Sequence, residues 1–157
     1  MKQKNVTLIP MTAEMYHQYF MEYDNDPDLY LDQSKYIHYE YSAEKVDQYI
    51  RRQIDKKRIP LAIVAGSEIV GELIIKDIVP HESAVIGIAM KNAAYKDRGF
   101  GTAAEKIAVK YIFDTLNIPI VFADTIRTNV RSQHVLEKVG FVFTHEDENF
   151  KYYRIDR

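Results

Sequence analysis

The sequence predicts one α/β domain covering residues 1–157. Three observations carry that expectation. Stretches with a helical apolar period alternate with short β-branched runs along the whole chain. Two glycines, Gly99 and Gly101, open a helical stretch soon after one of those runs. The 157 residues are 46% hydrophobic, enough for one core, and no repeat, linker or low-complexity segment divides them.

Taken in order, Val6 to Met11 reads as a short strand. Thr12 can cap a helix running to about Tyr23, with Tyr16, Phe20 and Tyr23 on one face at i, i+4, i+7. Asp24 to Glu40 is a polar connection rich in Asp and Tyr, containing Pro27. Ser42 can cap a second helix to about Lys57, with Glu44 favouring its start and Val46, Tyr49 and Ile50 inward. Pro60 to Ala65 and Ile69 to Val79 read as strands joined by the hairpin signal Gly66-Ser67-Glu68. A turn at Pro80-His81-Glu82 leads to a third strand, Ser83 to Met90, so three antiparallel strands in a row are expected.

The glycine segment starts a helix from about Gly99 to Leu116, with Ala104, Ala108, Tyr111, Ile112 and Thr115 expected inward. Ile118 to Thr125 is a buried strand by its apolar run. Thr128 or Asn129 can cap a last helix through Val139, with Ser132, Val135, Leu136 and Val139 on one stripe and Gly140 ending it. Phe141-Val142-Phe143 and Phe150 to Ile155 then form a hairpin around Glu146-Asp147-Glu148-Asn149.

The composition narrows function. A net charge of −2 argues against a general nucleic-acid binder, which would be strongly basic. With no cysteine there is no thiolate nucleophile, thiolate metal site or disulfide frame. The five histidines show no metal-ligand spacing, so no metal is expected. No apolar run approaches the ~18 residues needed to span a membrane. The N-terminal apolar stretch is too short for a secretory signal, which makes a cytoplasmic protein the default expectation. Eight of the 12 tyrosines fall in the first fifty residues; they pack helices onto a sheet or form a pocket wall, and both readings stay open.

Lys96-Asp97-Arg98-Gly99-Phe100-Gly101-Thr102-Ala103-Ala104 is the most informative stretch. Glycine admits close backbone approach to a ligand, and a helix N-terminus offers unpaired N–H groups and a positive dipole end. Together they make a phosphate cradle. The segment also fits G-x-G-x-x-A, the dinucleotide fingerprint, but the polar stretch Lys91 to Arg98 separates it from its strand, and the preceding strands are antiparallel. A P-loop lacks its Gly-Lys-Ser/Thr ending here.

Strand, basic turn, glycine-rich helix start, strand and the segment Asn129-Val130-Arg131-Ser132…Glu137-Lys138-Val139-Gly140-Phe141 together resemble the GNAT superfamily of acetyl-CoA-dependent N-acetyltransferases. Lys96 to Gly101 matches that superfamily's Gln/Arg-x-x-Gly-x-Gly/Ala loop except for Lys at the first place, which keeps the charge and loses a bidentate fork. Leu8-Ile9-Pro10-Met11-Thr12 and the Asn129 segment look like the branch containing ribosomal-protein N-terminal acetyltransferases and many small-molecule acetyltransferases. The resemblance implies a single domain with a mixed central sheet of about seven strands and about four helices, splayed at the cofactor site. It places the pantetheine arm against Ile88, Ala89 and Met90, and the pyrophosphate on the N–H groups from Arg98 through Gly99, Phe100, Gly101 and Thr102 to Ala103. Lys96 and Asn129 would complete the contacts with the co-substrate, acetyl-CoA. An amine is the implied second substrate, and many relatives dimerise, so a homodimer is one further expectation.

Acetylating an amine requires removing a proton from an ammonium group and stabilising an oxyanion and a leaving thiolate. Many relatives carry a Tyr acid on the last helix; that place is Leu136 here. Ser132 is the candidate relay, and its other reading is a first-turn helix residue bonded to backbone. No carboxylate stands in register on the strand before the loop, leaving Glu72 on the neighbouring strand as candidate base; its other reading is an outward strand residue. His134 and His81 are weighed as surface residues. Two acidic clusters, Glu22/Asp24/Asp26/Asp28/Asp32 and Glu146/Asp147/Glu148, would attract a cationic amine if they converge on one pocket mouth; otherwise they are solvated loops. Arg51, Arg52, Lys56, Lys57 and Arg58 form an exposed basic face or a contact for the CoA 3′-phosphate. A non-catalytic acyl-CoA-binding module on the same fold is the alternative to an enzyme.

Overall fold

The structure, a computed structural model, describes residues 5–27 and 30–157. Seven strands form one open sheet in the order β1-β2-β3-β4-β5-β7-β6. They are β1 (Val6–Pro10), β2 (Ile59–Ala65), β3 (Glu68–Val79), β4 (Ser83–Met90), β5 (Ile120–Ile126), β6 (Val142–Glu146) and β7 (Phe150–Asp156). Four α-helices accompany them: α1 (Ala13–Met21), α2 (Ala43–Asp55), α3 (Phe100–Asp114) and α4 (Val130–Val139). The expected mixed sheet of seven strands with four helices is present. Every strand pair is antiparallel except β4–β5, which α3 connects as a parallel crossover.

Helix ends follow local chemistry. Thr12, Ser42 and Asn129 accept hydrogen bonds from Met15, Lys45 and Ser132 N–H groups at the starts of α1, α2 and α4. Some boundaries differ from expectation. α1 stops at Met21 rather than Tyr23, α2 at Asp55 rather than Lys57, and α3 at Asp114 rather than Leu116. Tyr111 of α3 and Thr115, which caps its end, face solvent; Phe100, Ala103, Glu105 and Val109 are buried instead, because α3 packs on both the sheet and α4 and so buries a wider stripe.

The sheet carries apolar side chains on both faces, alternating along β2. Ile63 joins the larger cluster with Leu73, Ile75, Ala104, Ala108, Ile112, Val121 and Leu136, beneath α3 and α4. Ala62 and Val64 join Met11, Tyr16 and Val46 beneath α1 and α2. The two helix pairs thus lie on opposite faces, which sets up one opening reachable from both sides.

That opening is between β4 and β5. Their parallel pairing runs only from Ser83↔Ile120 to Ile86↔Ala123. Beyond it β4 continues to Met90 on its β3 side, Gly71↔Met90 being the last pair, while β5 pairs onward with β7. From Gly87 to Met90, β4 therefore has no strand partner on its β5 edge, and the expected splay is present.

Candidate active site

The donor side begins with backbone geometry. Gly99 sits at φ +82°, a left-handed conformation that disfavours any side chain, and it provides no side-chain cap for α3. A cap without a side chain leaves the approach to the first turn of α3 to a ligand, as an anion site requires. The Ala103 N–H already donates to the Gly99 carbonyl at 3.1 Å, and Ala103 is buried. Of the expected cradle, the N–H groups from Arg98 to Thr102 are left, with those of Phe100, Gly101 and Thr102 on the first turn of α3. At Gly101 an added Cβ would meet only Ile88 at 3.8 Å and Val135 at 3.9 Å. The protein itself has room for a Cβ there.

The expectation for Arg98 concerns its backbone N–H; its guanidinium folds back onto its own loop. It lies 4.9 Å from the Phe100 ring centroid and donates to the Ala94 carbonyl at 3.4 Å. Lys96 and Arg131 take the place beside the cradle. Lys96 is ion-paired with Asp26, and Arg131 lies 3.8 Å from the same carboxylate and 3.0 Å from Asp97. Arg131 had no assigned role in the sequence, although it stands two residues after Asn129; its position became readable only once α4 was placed against α3.

Ile88, Ala89, Met90, Lys96, Gly101, Asn129 and Ser132 line one cleft, together with Tyr23, Asp24, Asp26, Arg131, Val135 and Glu105. Gly99, Phe100 and Thr102 line the adjoining hollow towards His134 and Lys138. These residues fit the co-substrate: a helix N-terminus and two cations for phosphate, then, among the described residues, an unpaired strand edge for an extended amide-bearing arm.

The acceptor side is built from side chains. A second cavity of about 720 Å³, within the usual ligand-pocket range, is walled by Tyr19, Phe20, Tyr23, Tyr39, Tyr49 and Ile37 with Glu72 inside. Glu72 is 5% exposed, so it is not an outward strand residue. Tyr49 Oη donates to Glu72 Oε1 at 2.6 Å. The Tyr16 hydroxyl faces the same carboxylate without reaching hydrogen-bond geometry. Burial pushes the Glu72 carboxyl above its ordinary range, and the two tyrosine hydroxyls pull part of the way back. Burial and the Glu72 charge hold the Tyr16 and Tyr49 hydroxyls protonated, and burial first of all raises Tyr23 to about 12.

The two cavities meet. Tyr23 and Ala89 line both, and Glu72 is the register partner of Ala89 across β3–β4. Tyr19 Oη donates to the Ala89 carbonyl at 3.3 Å. An added Cβ at Gly71 would lie 2.8 Å from that same oxygen, so glycine is required there for close strand approach.

The acidic clusters do not converge. Glu22 pairs with Lys91 at 2.5 Å, Asp24 with His38 at 3.3 Å, and Asp32 accepts from Ser34; Asp28 lies outside the described residues. Asp147 accepts from the Asn149 and Phe150 N–H groups and from Tyr152, folding the β6–β7 turn. Among the described residues that turn adds nothing to either cavity wall. The basic run Arg51 to Arg58 lines neither the cleft nor the cradle hollow, and most of it is exposed. Among the described residues no cluster of three or more His, Asp or Glu could hold a metal, and no helix is long and apolar enough to cross a membrane.

Sequence reasoning also passed over Glu105. It is 1% exposed on α3, within the stripe Gly101, Ala104, Ala108, Ile112, and burial raises its carboxyl to about 8. A charged residue on an otherwise small and apolar stripe was the available signal.

A family model described as an acetyltransferase (GNAT) domain matches residues 5–142. The chain belongs to the GNAT acetyltransferase family. Solved structures share its fold: an aminoglycoside acetyltransferase AAC(6′)-Ib in complex with coenzyme A, at TM-score 0.78 and 15% identity, covers 98% of this chain and 95% of that one. Spermidine N-acetyltransferase from Vibrio cholerae in complex with CoA and spermine aligns at TM-score 0.71 and 19% identity, covering 96% and 95%. Campylobacter jejuni N-acetyltransferase PseH aligns at 0.72 and 16%, covering 97% and 98%. No curated protein matches the chain.

Proposed function

We propose that this GNAT protein transfers an acetyl group from acetyl-CoA to a cationic primary amine by direct attack in a ternary complex. The observation that carries the reading is the meeting of the two cavities at Ala89, with the buried Glu72 carboxylate opposite it. A donor cleft alone would fit any CoA binder. A donor cleft opening onto a tyrosine-walled pocket with a carboxylate inside fits a reaction between the donor and a cation.

Acetyl-CoA supplies an activated acetyl group as a thioester. The N–H groups of Phe100, Gly101 and Thr102 bind phosphate, and Lys96 and Arg131 offset its charge. The β4 edge at Ile88, Ala89 and Met90 aligns the arm, with Asn129 beside it. The tyrosine rings and Glu72 attract an ammonium group, which stacks on aromatic faces and pairs with the carboxylate. Glu72 takes the ammonium proton, directly or through water; a carboxyl raised by burial is a better base near neutrality than an exposed one. Ser132, lining the cleft, relays protons on the donor side.

The solved relatives named for spermidine and aminoglycoside support a polycationic amine, as does the aromatic wall. Acceptors to test are small polyamines and, following the resemblance of the chain's start and its Asn129 segment to the ribosomal-protein branch, peptides with a free N-terminus. Isothermal titration with CoA and a thiol-release assay against these amines test the reading. Micromolar CoA binding with amine-dependent thiol release is expected. CoA binding with no thiol release from any amine would favour the non-catalytic module, for which Leu136 in place of the relatives' Tyr is the supporting observation. Absence of CoA binding would remove both readings.

A further inference from the structure

The donor side as read above lacks a proton for the leaving sulfur. Leu136 occupies the place where many relatives keep a tyrosine, and a serine hydroxyl is too weak an acid to serve alone. One acidic group stands at this spot unused. Glu105 lines the cleft on the α3–α4 side and also the second hollow at the apex of the splay. Among the described residues Ile88, Asn129 and Ser132 share both openings with it. Its Oε2 is fully buried and has no hydrogen-bond partner among the described residues. A stability role does not account for that arrangement, because an unpaired buried carboxyl costs free energy and a leucine or glutamine would fill the stripe more cheaply.

Resting on the acetyltransferase reading, we infer that Glu105 is a catalytic residue, the general acid that protonates the sulfur of the departing CoA. As the amine nitrogen bonds to the acetyl carbon, the carbon–sulfur bond breaks and its electron pair passes to sulfur. The Glu105 carboxyl proton follows it, giving the free thiol. Of the two protons an ammonium substrate loses, one is balanced by the proton on the thiol and the other leaves through Glu72 to solvent. Glu105 then regains a proton from water, and the acid is ready for another turnover. Its raised proton affinity, about 8, lies close to the ~8.5 of an ordinary thiol, so the transfer is nearly balanced in both directions. The charged and titratable groups sharing its openings are Tyr23, Asp24, Asp26, Lys96, Asp124 and Arg131. Burial, rather than any of these charges, is what raises the Glu105 carboxyl.

The test is a titration of CoA's thiol, followed by its ultraviolet absorbance while bound to the wild type and to Glu105→Gln. With a carboxyl beside the sulfur, the wild type should hold the thiolate back, and Glu105→Gln should lower the thiol midpoint by about half a unit or more. Its turnover with acetyl-CoA and a good amine should fall about a hundredfold at unchanged CoA affinity. An unmoved midpoint with CoA bound overturns the assignment and leaves the donor site standing. Failure of the wild type to bind CoA overturns the acetyltransferase reading itself. Should the Gln variant not fold, the wild type still decides: the infrared band of its buried protonated carboxyl should shift with CoA but not with desulfo-CoA. Equal response to both overturns the assignment.

Discussion

The donor cleft and the acceptor pocket meet at Ala89, yet they are built from different materials. The donor side is backbone: a left-handed Gly99, the N–H groups at the start of α3 and, from Gly87 to Met90, a β4 edge that no described strand pairs on the β5 side. The acceptor side is side chain: tyrosines from α1, α2 and their connection arranged around Glu72. Backbone sites depend on a few glycines at fixed spacing, so one binding mode can persist while sequences diverge. Side-chain pockets depend on which rings converge, so they change with the acceptor.

Substitutions that strike one side and spare the other would sharpen or break this contrast. The largest effect is expected from Glu72→Gln. Turnover should fall about a hundredfold or more while CoA affinity, read by titration calorimetry, stays the same. A matching loss of CoA binding would show that the two sides are not separable.

Glu105→Gln should change the pH dependence of stability. The carboxyl is held protonated to about 8 in the folded protein but ionises near 4.5 when unfolded. Between those values the folded state binds the extra proton, so wild-type stability declines as pH rises, by up to about 1.4 kcal/mol per unit from this group. The Gln variant should lack that decline, and denaturant melts at pH 5 and pH 8 would show it as a widening advantage. Parallel curves for the two proteins would mean that Glu105 ionises normally.

Gly71→Ala places a Cβ 2.8 Å from the Ala89 carbonyl. A loss of about 1–3 kcal/mol in thermal or denaturant unfolding is expected, with β4 displaced at the junction of both cavities. Gly101→Val should do the opposite: near-normal melting, since the protein leaves room, with CoA binding weakened about tenfold, or about 1.4 kcal/mol. Unaltered CoA affinity would contradict the placement of the cradle. The smallest effect belongs to Asp26→Asn. Freeing Lys96 and Arg131 from that carboxylate should tighten CoA binding about threefold, and more so at low salt.

The same contrast explains what the sequence could reveal. Strands, helices and caps were readable because apolar period and capping residues act locally, as at Thr12, Ser42 and Asn129. The cradle was readable because glycine spacing is a backbone statement. Glu72 was found as a candidate, but its burial was not, since only the packing of α1 and α2 brings Tyr16 and Tyr49 to it. Nothing at residues 96 to 101 signals that the Arg98 guanidinium packs near the Tyr95 and Phe100 rings. Lys96, Asp26 and Arg131 come from three distant segments, and their convergence is a property of the assembled fold.

The central claim is that the cavities on the two sides of Ala89 form one reaction path with Glu72 as base. Thiol release from acetyl-CoA, measured with a polyamine for the wild type and Glu72→Gln, tests it most directly. The wild type should show rapid amine-dependent release, and the variant at least about a hundredfold less at equal CoA occupancy. Equal release by the two proteins would contradict it.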